Sequence, residues 1–315
     1  MKQTIAPDSS IISIPEFLTE EVIPSFSIET LSDAYKFFIN NGYVVFRKVV
    51  DKEITSQILL SFEKDIKNNT NGAPRISGLI EKNIFNQHGQ IVNPVMNAHL
   101  SSDKSISNYV NNIISILKNQ SILTIISKLI KSRNIKLLTW NHFESNPVTI
   151  AHQDCFFWGQ NLDVGDIVGC WIALEDINVD AGRLYLYSDS HEFDMHEFAK
   201  NQDRKKFHPG DAFYRSLVIE LIKSKKLKCI SPVMEEGDII FWDSRTIHGS
   251  LPTINASFSR SSITAHFTTK SNNIFNFLHK KNDKFLYLHL DKKLFFKHLI
   301  RNYFPFIVEL YNKLK

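Results

Sequence analysis

Two side chains near the middle of the sequence, His152 and Asp154, have the chemistry and the spacing of metal ligands. They follow a β-like run, and residues two positions apart on a strand point to the same face. An imidazole and a carboxylate on one face are two of the three ligands of the facial triad, which binds iron(II) and leaves the opposite coordination positions open. A His-x-Asp pair alone is more often part of a polar strand surface than a metal site. A second histidine at a suitable place further along the chain would favour the metal site over the polar strand surface.

His248 is the candidate for the third ligand. It begins a turn after the strand-like run Asp238-Ile239-Ile240-Phe241-Trp242, which itself follows the Glu236-Gly237 turn. A jelly roll folds back on itself and so brings segments that are distant in sequence side by side. The sequence therefore predicts a metal site formed by His152, Asp154 and His248.

A cation on a polar strand face follows the predicted ligands. In the run that begins at Arg260, every second residue is polar and the residues between them are apolar. The polar positions are Arg260, Ser262, Thr264, His266 and Thr268, and the apolar positions are Ile263, Ala265 and Phe267. A strand that is polar along one whole face fits the wall of a cavity better than the middle of an apolar core.

Arg260 completes a pattern that is typical of one class of enzyme. A guanidinium pairs with a carboxylate through two parallel hydrogen bonds, and Ser262 on the same face can add a third. A dicarboxylate that chelates iron at one end needs such a partner at its other end. The four residues together predict an oxygenase that uses iron(II), 2-oxoglutarate and O2, hydroxylates a C–H bond and releases succinate and CO2.

The chain resembles the phytanoyl-CoA dioxygenase family of 2-oxoglutarate oxygenases. The resemblance covers most of the chain, from about Ala34 to Phe267. The motifs that carry it are Asn41-Gly42-Tyr43-Val44-Val45-Phe46-Arg47, His152-Gln153-Asp154, Trp171-Ile172-Ala173-Leu174-Glu175-Asp176, Asp180-Ala181-Gly182-Arg183-Leu184, Ser188-Asp189-Ser190-His191, the segment from Gly237-Asp238 to His248-Gly249-Ser250, and Arg260-Ser261-Ser262.

The resemblance implies a fold and a set of site residues. The fold is mainly β with α, a double-stranded β-helix (jelly roll, cupin-like) with helices packed on its outside. The implied iron(II) ligands are His152, Asp154 and His248, and the residues implied for 2-oxoglutarate are Arg260, Ser262, Ser250 and Trp158. Relatives that chlorinate lack the ligand carboxylate, so Asp154 favours hydroxylation over halogenation.

The chain also departs from the family pattern. It has Gly182-Arg183-Leu184 where relatives have Gly-Pro-Leu or Gly-Cys-Leu, and Ser188-Asp189-Ser190-His191 where they have Pro-Gly-Ser-His. Arg183 and Asp189, expected near the mouth of the site, predict a polar substrate. His142 is a second candidate for substrate contact, although an ordinary strand position explains it equally well.

The elements that must position these residues divide the chain into successive parts. Residues 1–134 are largely helical, with apolar stripes that predict helices over 29–41, after the N-cap Asp51, and over 106–117. Residues 135–270 alternate with a period of two and form the jelly-roll core, with an insertion at about 192–228. Residues 271–315 form an aromatic and basic tail. We expect a single domain over 1–315.

Composition and charge exclude several classes of protein. The net charge of +4 and the pI of about 8.7 are too small to indicate nucleic-acid binding by themselves. Three widely spaced cysteines indicate neither a disulfide framework nor a zinc cluster. The N-terminus lacks the apolar run of a signal peptide, and no apolar run is long enough for a membrane span. We expect a cytoplasmic protein with a small-molecule substrate, and the sequence leaves its oligomeric state open.

Two other functions share part of this pattern. Nucleic-acid demethylases of the same chemistry carry a second arginine six positions after the first, where this chain has His266. A non-catalytic cupin-type module that binds a metal or a ligand would not need Arg260. Consumption of 2-oxoglutarate separates this second alternative from the oxygenase.

Overall fold

Two β-sheets enclose a cavity, and helices cover their outer faces. The computed structural model describes residues 1–158, 163–193, 195, 212–269 and 287–289. Within these ranges the α-helices are α1 (Leu31–Asn41), α2 (Lys52–Ser61), α3 (Ser107–Leu117), α4 (Gln120–Leu129), α5 (Cys155–Trp158) and α6 (Ala212–Lys225). The strands are β1 (Lys2–Ile5), β2 (Ile11–Ile14), β3 (Ser25–Phe26), β4 (Tyr43–Phe46), β5 (Ala73–Pro74), β6 (Ile80–Glu81), β7 (Val95–Met96), β8 (Asn134–Phe143), β9 (Ile167–Ala173), β10 (Leu184–Tyr187), β11 (Cys229–Ile230), β12 (Ile239–Asp243), β13 (His248–Ser250), β14 (Ser262–Thr269) and β15 (Tyr287–His289).

The strand order is that of a chain folded back on itself. The larger sheet runs β15-β8-β14-β9-β12-β4-β3, with β7 also paired to β8, and the smaller sheet runs β11-β10-β13. The longest strand of the larger sheet, β8, pairs with β14. The strand β14 follows β8 by more than a hundred residues and also pairs with β9. An isolated bridge between His152 and His248 continues the smaller sheet. The prediction of a jelly-roll core with outer helices is confirmed.

The helices α1 to α4 cover the outer face of the larger sheet and form the main hydrophobic core with it. Three of them lie close to their predicted positions, and Gly42 ends α1 in the left-handed region (φ 79°), where glycine meets no steric penalty. The fourth, α4, was not predicted. It contacts both α1 and β8, and its apolar residues Ile122, Ile125, Ile126 and Leu129 recur at helical spacing, so the signal for this helix is present in the sequence.

A second core lies outside the smaller sheet, where the β1–β2 hairpin and α6 pack against Tyr185 and Tyr187. The helix α6 belongs to the predicted insertion at 192–228, whose residues 194 and 196–211 lie outside the described part of the chain. The predicted tail also lies outside it, except for β15, which pairs with β8. In the ranges that the structure describes, no helix is both long enough and apolar enough to cross a membrane.

Alternation along β14 and β8 decides which side chains reach the cavity. Ile263, Ala265 and Phe267 of β14 belong to the core under the helices. The residues between them, together with Arg260 before the strand, therefore face the other way, and Arg260, Thr264 and His266 line the cavity. From Thr139 onwards β8 alternates in the same way, since Thr139, Asn141 and Phe143 line the cavity and Trp140 lies in the core. Before Thr139 the register against β14 shifts, so that Leu137 lies in the core and Leu138 lines the cavity.

Gly169 in β9 leaves room for an indole beside the cavity. It pairs with Trp242 of β12, and a Cβ added to it would lie 2.3 Å from Cε2 of that tryptophan. A strand glycine is typical of such a close approach.

We expect Gly169→Ala to lower the free energy of unfolding by about 1–3 kcal/mol, because the added methyl group displaces a fully buried ring. Denaturant unfolding measures this change. In a Trp242→Phe background the same substitution should cost less, since the ring atoms it meets are absent. An equal cost in both backgrounds would contradict this interpretation.

Candidate metal centre and cavity

A cavity of about 470 Å³ lies between the two sheets. Its walls come from β8, β9, β12 and β14 of the larger sheet, from β10 and β13 of the smaller sheet, and from the loops around Ile76 and Pro147. Its lining includes the predicted metal ligands His152, Asp154 and His248, and also Arg260. The fold therefore brings four of the residues singled out in the sequence to one enclosed space.

Backbone pairing sets two imidazoles side by side. The N–H of His152 donates to the carbonyl of His248, and the N–H of His248 donates to the carbonyl of His152, both at 3.0 Å. The two ring centroids are 4.4 Å apart. Asp154 follows in the turn before α5, and one donor atom from each of the three residues lies within 4.8 Å of the others.

The hydrogen bonds of the imidazoles fit a cation at this point. Nδ1 of His152 lies 2.8 Å from the carbonyl oxygen of Ile150, and Nδ1 of His248 lies 2.9 Å from that of Thr246, so each Nδ1 carries the proton. Both Nε2 atoms then turn towards Oδ1 of Asp154, at 3.3 Å and 3.6 Å. In neutral imidazoles these Nε2 lone pairs face a carboxylate oxygen, an arrangement that a metal ion between them stabilises.

The second oxygen of the Asp154 carboxylate has partners of its own. Oδ2 accepts hydrogen bonds from Nε1 of Trp242 at 2.7 Å and from Nε2 of His266 at 3.0 Å. Burial opposes ionisation of Asp154, but the nearby His248 and His266 outweigh it and hold its pKa well below the usual range. Burial lowers the pKa of His248 to about 4. The carboxylate is therefore ionised and available as a ligand at neutral pH.

Arg260 is a buried cation without an acidic partner among the described residues. Its side chain is 3% exposed, and its guanidinium donates one hydrogen bond of 3.2 Å to the carbonyl of Gly182. The rings of Phe143 and Trp171 lie near the guanidinium, and the centroid of each ring is 5.9 Å from Cζ. Among the residues that the structure describes, no carboxylate forms an ion pair with it, and burial lowers its pKa to about 10.

The three remaining residues predicted to bind 2-oxoglutarate differ in their placement. Ser250 lines the cavity, where its Oγ accepts a hydrogen bond from the N–H of Thr149 at 2.7 Å. Ser262 is fully buried beside Arg260, and its hydroxyl donates to the Arg260 carbonyl at 3.2 Å. Trp158 closes α5, but its side chain lies outside the described part of the structure.

The two candidates for substrate contact lie elsewhere. Arg183 is 2% exposed, and its guanidinium donates to the backbone carbonyls of Pro15, Glu16 and Ile177, so it fastens the N-terminal segment to the core. His142 points to the helical side of β8, because it lies between two cavity-facing residues. There it hydrogen-bonds with the Tyr109 hydroxyl at 2.9 Å. Burial lowers its pKa to about 3. Neither residue lines the cavity, and the expectation of a substrate contact is corrected for both.

Sequence reasoning missed several polar groups at the cavity. His266 was recognised as part of a polar face, but its hydrogen bond to Asp154 was not foreseen, and nothing in the sequence indicates the bond from Trp242. Nε1 of Trp171 and Oδ1 of Asn141 are buried polar atoms of the cavity wall, and neither has a hydrogen-bond partner among the described residues. Trp171 and Asn141 alternate with core residues along their strands, and this alternation is the sequence feature that could have predicted their position in the cavity wall.

The fold and the ligand set are those of the facial-triad class of non-haem iron proteins. The family model named Phytanoyl-CoA dioxygenase (PhyH) matches residues 38–262. The chain belongs to this family, as its motifs predicted. No curated protein matches the chain.

Several solved structures share the fold at low sequence identity. The α-ketoglutarate-dependent carbocyclase SnoK from nogalamycin biosynthesis has a TM-score of 0.57 and 15% identity, covering 84% of this chain and 100% of its own. The epimerase SnoN from the same biosynthesis has a TM-score of 0.52 and 16% identity, covering 76% and 83%, and it has also been solved with Fe3+ and α-ketoglutarate. AviO1 from Streptomyces viridochromogenes Tue57 has a TM-score of 0.50 and 16% identity, covering 76% and 95%.

Asp243 holds the turn that leads to His248. Its Oδ2 accepts from the N–H of Gly165 at 2.6 Å and its Oδ1 from the N–H of Arg245 at 2.9 Å. Burial raises the pKa of Asp243 to about 6, from 3.8 for an unperturbed carboxyl group. A raised pKa means that the folded state favours the protonated form, so this residue contributes less to stability as the pH rises from about 4 to about 6.

We expect Asp243→Asn, which is neutral at every pH, to gain stability relative to the natural protein across that interval. The difference in Tm between the two proteins, measured from pH 4 to pH 8, should grow in favour of the variant up to about pH 6 and then stay constant. A difference that shrinks or stays constant below pH 6 would show that burial does not perturb this carboxyl group.

Proposed function

We propose that this protein is an iron(II)- and 2-oxoglutarate-dependent oxygenase that hydroxylates a C–H bond of a small molecule. One observation carries the proposal: the same cavity holds a His-Asp-His ligand set and a buried guanidinium without an acidic partner among the described residues. A buried cation left without a counter-charge is costly, so Arg260 favours an anionic ligand.

The Arg260 end of the cavity suits the distal carboxylate of 2-oxoglutarate. The guanidinium offers donors in a rigid fork, of which the Gly182 carbonyl takes one. Nε1 of Trp171, whose ring lies beside the guanidinium, is a further buried donor. A carboxylate placed here replaces lost hydration with charge-assisted hydrogen bonds.

At the other end, His152, Asp154 and His248 would hold iron(II). Bound together with 2-oxoglutarate and O2, the metal would supply the oxidative decarboxylation that yields succinate and CO2 and drives attack on a substrate C–H bond. The chain's own contribution is positional, because backbone carbonyls orient both imidazoles and the cavity shields the reaction from water. The epimerase SnoN, which shares the fold, has been solved with Fe3+ and α-ketoglutarate, and this supports the proposal that the present cavity binds the same two ligands.

The remaining wall of the cavity favours a substrate without charge. Among the described lining residues, the polar side chains away from the metal and Arg260 are neutral, as in Asn97, Thr139 and Thr264, and they alternate with apolar ones such as Ile76 and Met96. Such a wall recognises a molecule with hydroxyl or carbonyl groups on an apolar skeleton. The solved carbocyclase and epimerase show that the fold serves several outcomes. We favour hydroxylation here because Asp154 fills the ligand position that halogenating relatives leave open.

The purified protein should form succinate from 2-oxoglutarate when iron(II), O2 and a suitable member of a panel of neutral metabolites are present. Arg260→Ala should raise the KM for 2-oxoglutarate about 10–100-fold, because hydrogen bonds to charged groups contribute about 1.5–3 kcal/mol. Succinate formation at varied 2-oxoglutarate measures this change.

Arg183→Ala is the matched control, since it also removes a buried guanidinium but one that lies outside the cavity. It should lower stability and leave the KM for 2-oxoglutarate unchanged. A natural KM in Arg260→Ala would contradict the proposal. Metal binding without any consumption of 2-oxoglutarate would favour the non-catalytic cupin-type module.

A further inference from the structure

Asp154 is surrounded by more donors than its role as a metal ligand requires. Its Oδ1 faces the two ligand imidazoles, whereas Oδ2 lies on the far side of the carboxylate, between Trp242 and His266. Each oxygen of the carboxylate thus has a separate set of neighbours. Trp242 and His266 are 1% and 8% exposed, so water does not compete freely for Oδ2.

The backbone holds His266 in this position from both sides. Its strand β14 lies between β8 and β9, and His266 pairs with Thr139 on one side and with Gly169 on the other. Gly169 also leaves space for the Trp242 ring. The rings of Trp242 and His266 meet edge to face, with centroids 5.8 Å apart. The strands therefore aim an imidazole N–H and an indole N–H at the same oxygen.

This geometry restricts how the carboxylate can bind a metal. Because Oδ2 accepts two hydrogen bonds from buried donors, the Asp154 carboxylate resists a rotation that would bring Oδ2 towards the metal position. Only Oδ1 then remains for the metal, and the carboxylate occupies one coordination position instead of two. A facial triad requires that each ligand residue occupies a single coordination position, because the opposite positions must stay open for a co-substrate and O2.

We propose that His266 is a positioning residue of the metal centre. Together with Trp242 it holds Oδ2 of Asp154, so that Asp154 offers the metal a single oxygen. The inference rests on the proposed function, since it assumes that His152, Asp154 and His248 bind the metal. The inference goes beyond that function because it assigns a role to His266, which is neither a metal ligand nor one of the residues proposed to bind 2-oxoglutarate.

The test compares metal affinity in the full-length protein, with Co(II) as a spectroscopic probe. His266→Phe keeps a ring of similar size but removes the N–H, and its affinity for Co(II) should fall about 10–100-fold, as is typical when a hydrogen bond to a ligand is lost. His266→Gln places an amide N–H near the position of Nε2 and should recover most of the affinity. Thr268→Val is the matched control. Thr268 is buried on the same face of β14 and bonds to the Asp166 carbonyl, away from Asp154, so its loss should leave the affinity unchanged.

A second measurement tests whether 2-oxoglutarate can still occupy the open coordination positions of the metal. Iron(II) chelated by 2-oxoglutarate gives a charge-transfer absorption band under anaerobic conditions, and His266→Phe should need more 2-oxoglutarate than the natural protein to reach half of its maximum. A variant that merely unfolds is recognised by its loss of Tm and of circular dichroism, and His266→Gln then carries the test alone.

The outcomes separate the two levels of the proposal. If the natural protein does not bind Co(II), or if Asp154→Ala binds it equally well, the proposed function fails. If Asp154→Ala loses the metal while His266→Phe binds it as the natural protein does, the positioning role fails and the proposed function stands. If His266→Gln is as weak as His266→Phe, an N–H near the position of Nε2 does not restore the metal site, which also overturns the inference.

Discussion

The two backbone hydrogen bonds between His152 and His248 are the constraint on which the rest of the site depends. They join the segment before α5 to the start of β13, which are far apart in sequence. Closing so long a loop costs conformational entropy, and the paired strands of the two sheets offset that cost. Because backbone groups make the pairing, the fold itself turns both imidazoles towards Asp154. A site arranged in advance loses less binding energy to reorganisation.

Two buried charges of opposite sign define the cavity. Asp154 is 4% exposed and Arg260 is 3% exposed. The Trp242 indole N–H donates to the Asp154 carboxylate beside the histidines, and the Gly182 carbonyl accepts from the Arg260 guanidinium. Such groups only partly replace the water that each charge loses on folding. A metal ion and a dicarboxylate would supply the missing counter-charges, and ligands that bind only the folded state stabilise it by mass action. Under the proposed function, Asp154 and Arg260 therefore contribute both to folding and to ligand binding.

Much of this arrangement could be predicted from the sequence, because it follows from short-range pattern. The period of two along β14 correctly separated the cavity face, which includes Arg260 and His266, from the core face. The amphipathic stripes correctly located α1 to α3. What could not be predicted depends on contacts between distant segments. The guanidinium of Arg183 bonds to carbonyls of the N-terminal segment that no local pattern connects to it. The helix α4, by contrast, was missed although its apolar residues recur at helical spacing. His142 failed as a cavity residue because the phase of β8 relative to β14 is a tertiary property.

The most direct test of the account is the crystal structure of the protein grown anaerobically with iron(II) and 2-oxoglutarate. The account predicts a metal ion bound by His152, Asp154 and His248, with the distal carboxylate of 2-oxoglutarate on Arg260. It also predicts that Oδ2 of Asp154 still accepts hydrogen bonds from Trp242 and His266. A metal ion at other residues, or a 2-oxoglutarate whose distal carboxylate lies away from Arg260, would contradict it.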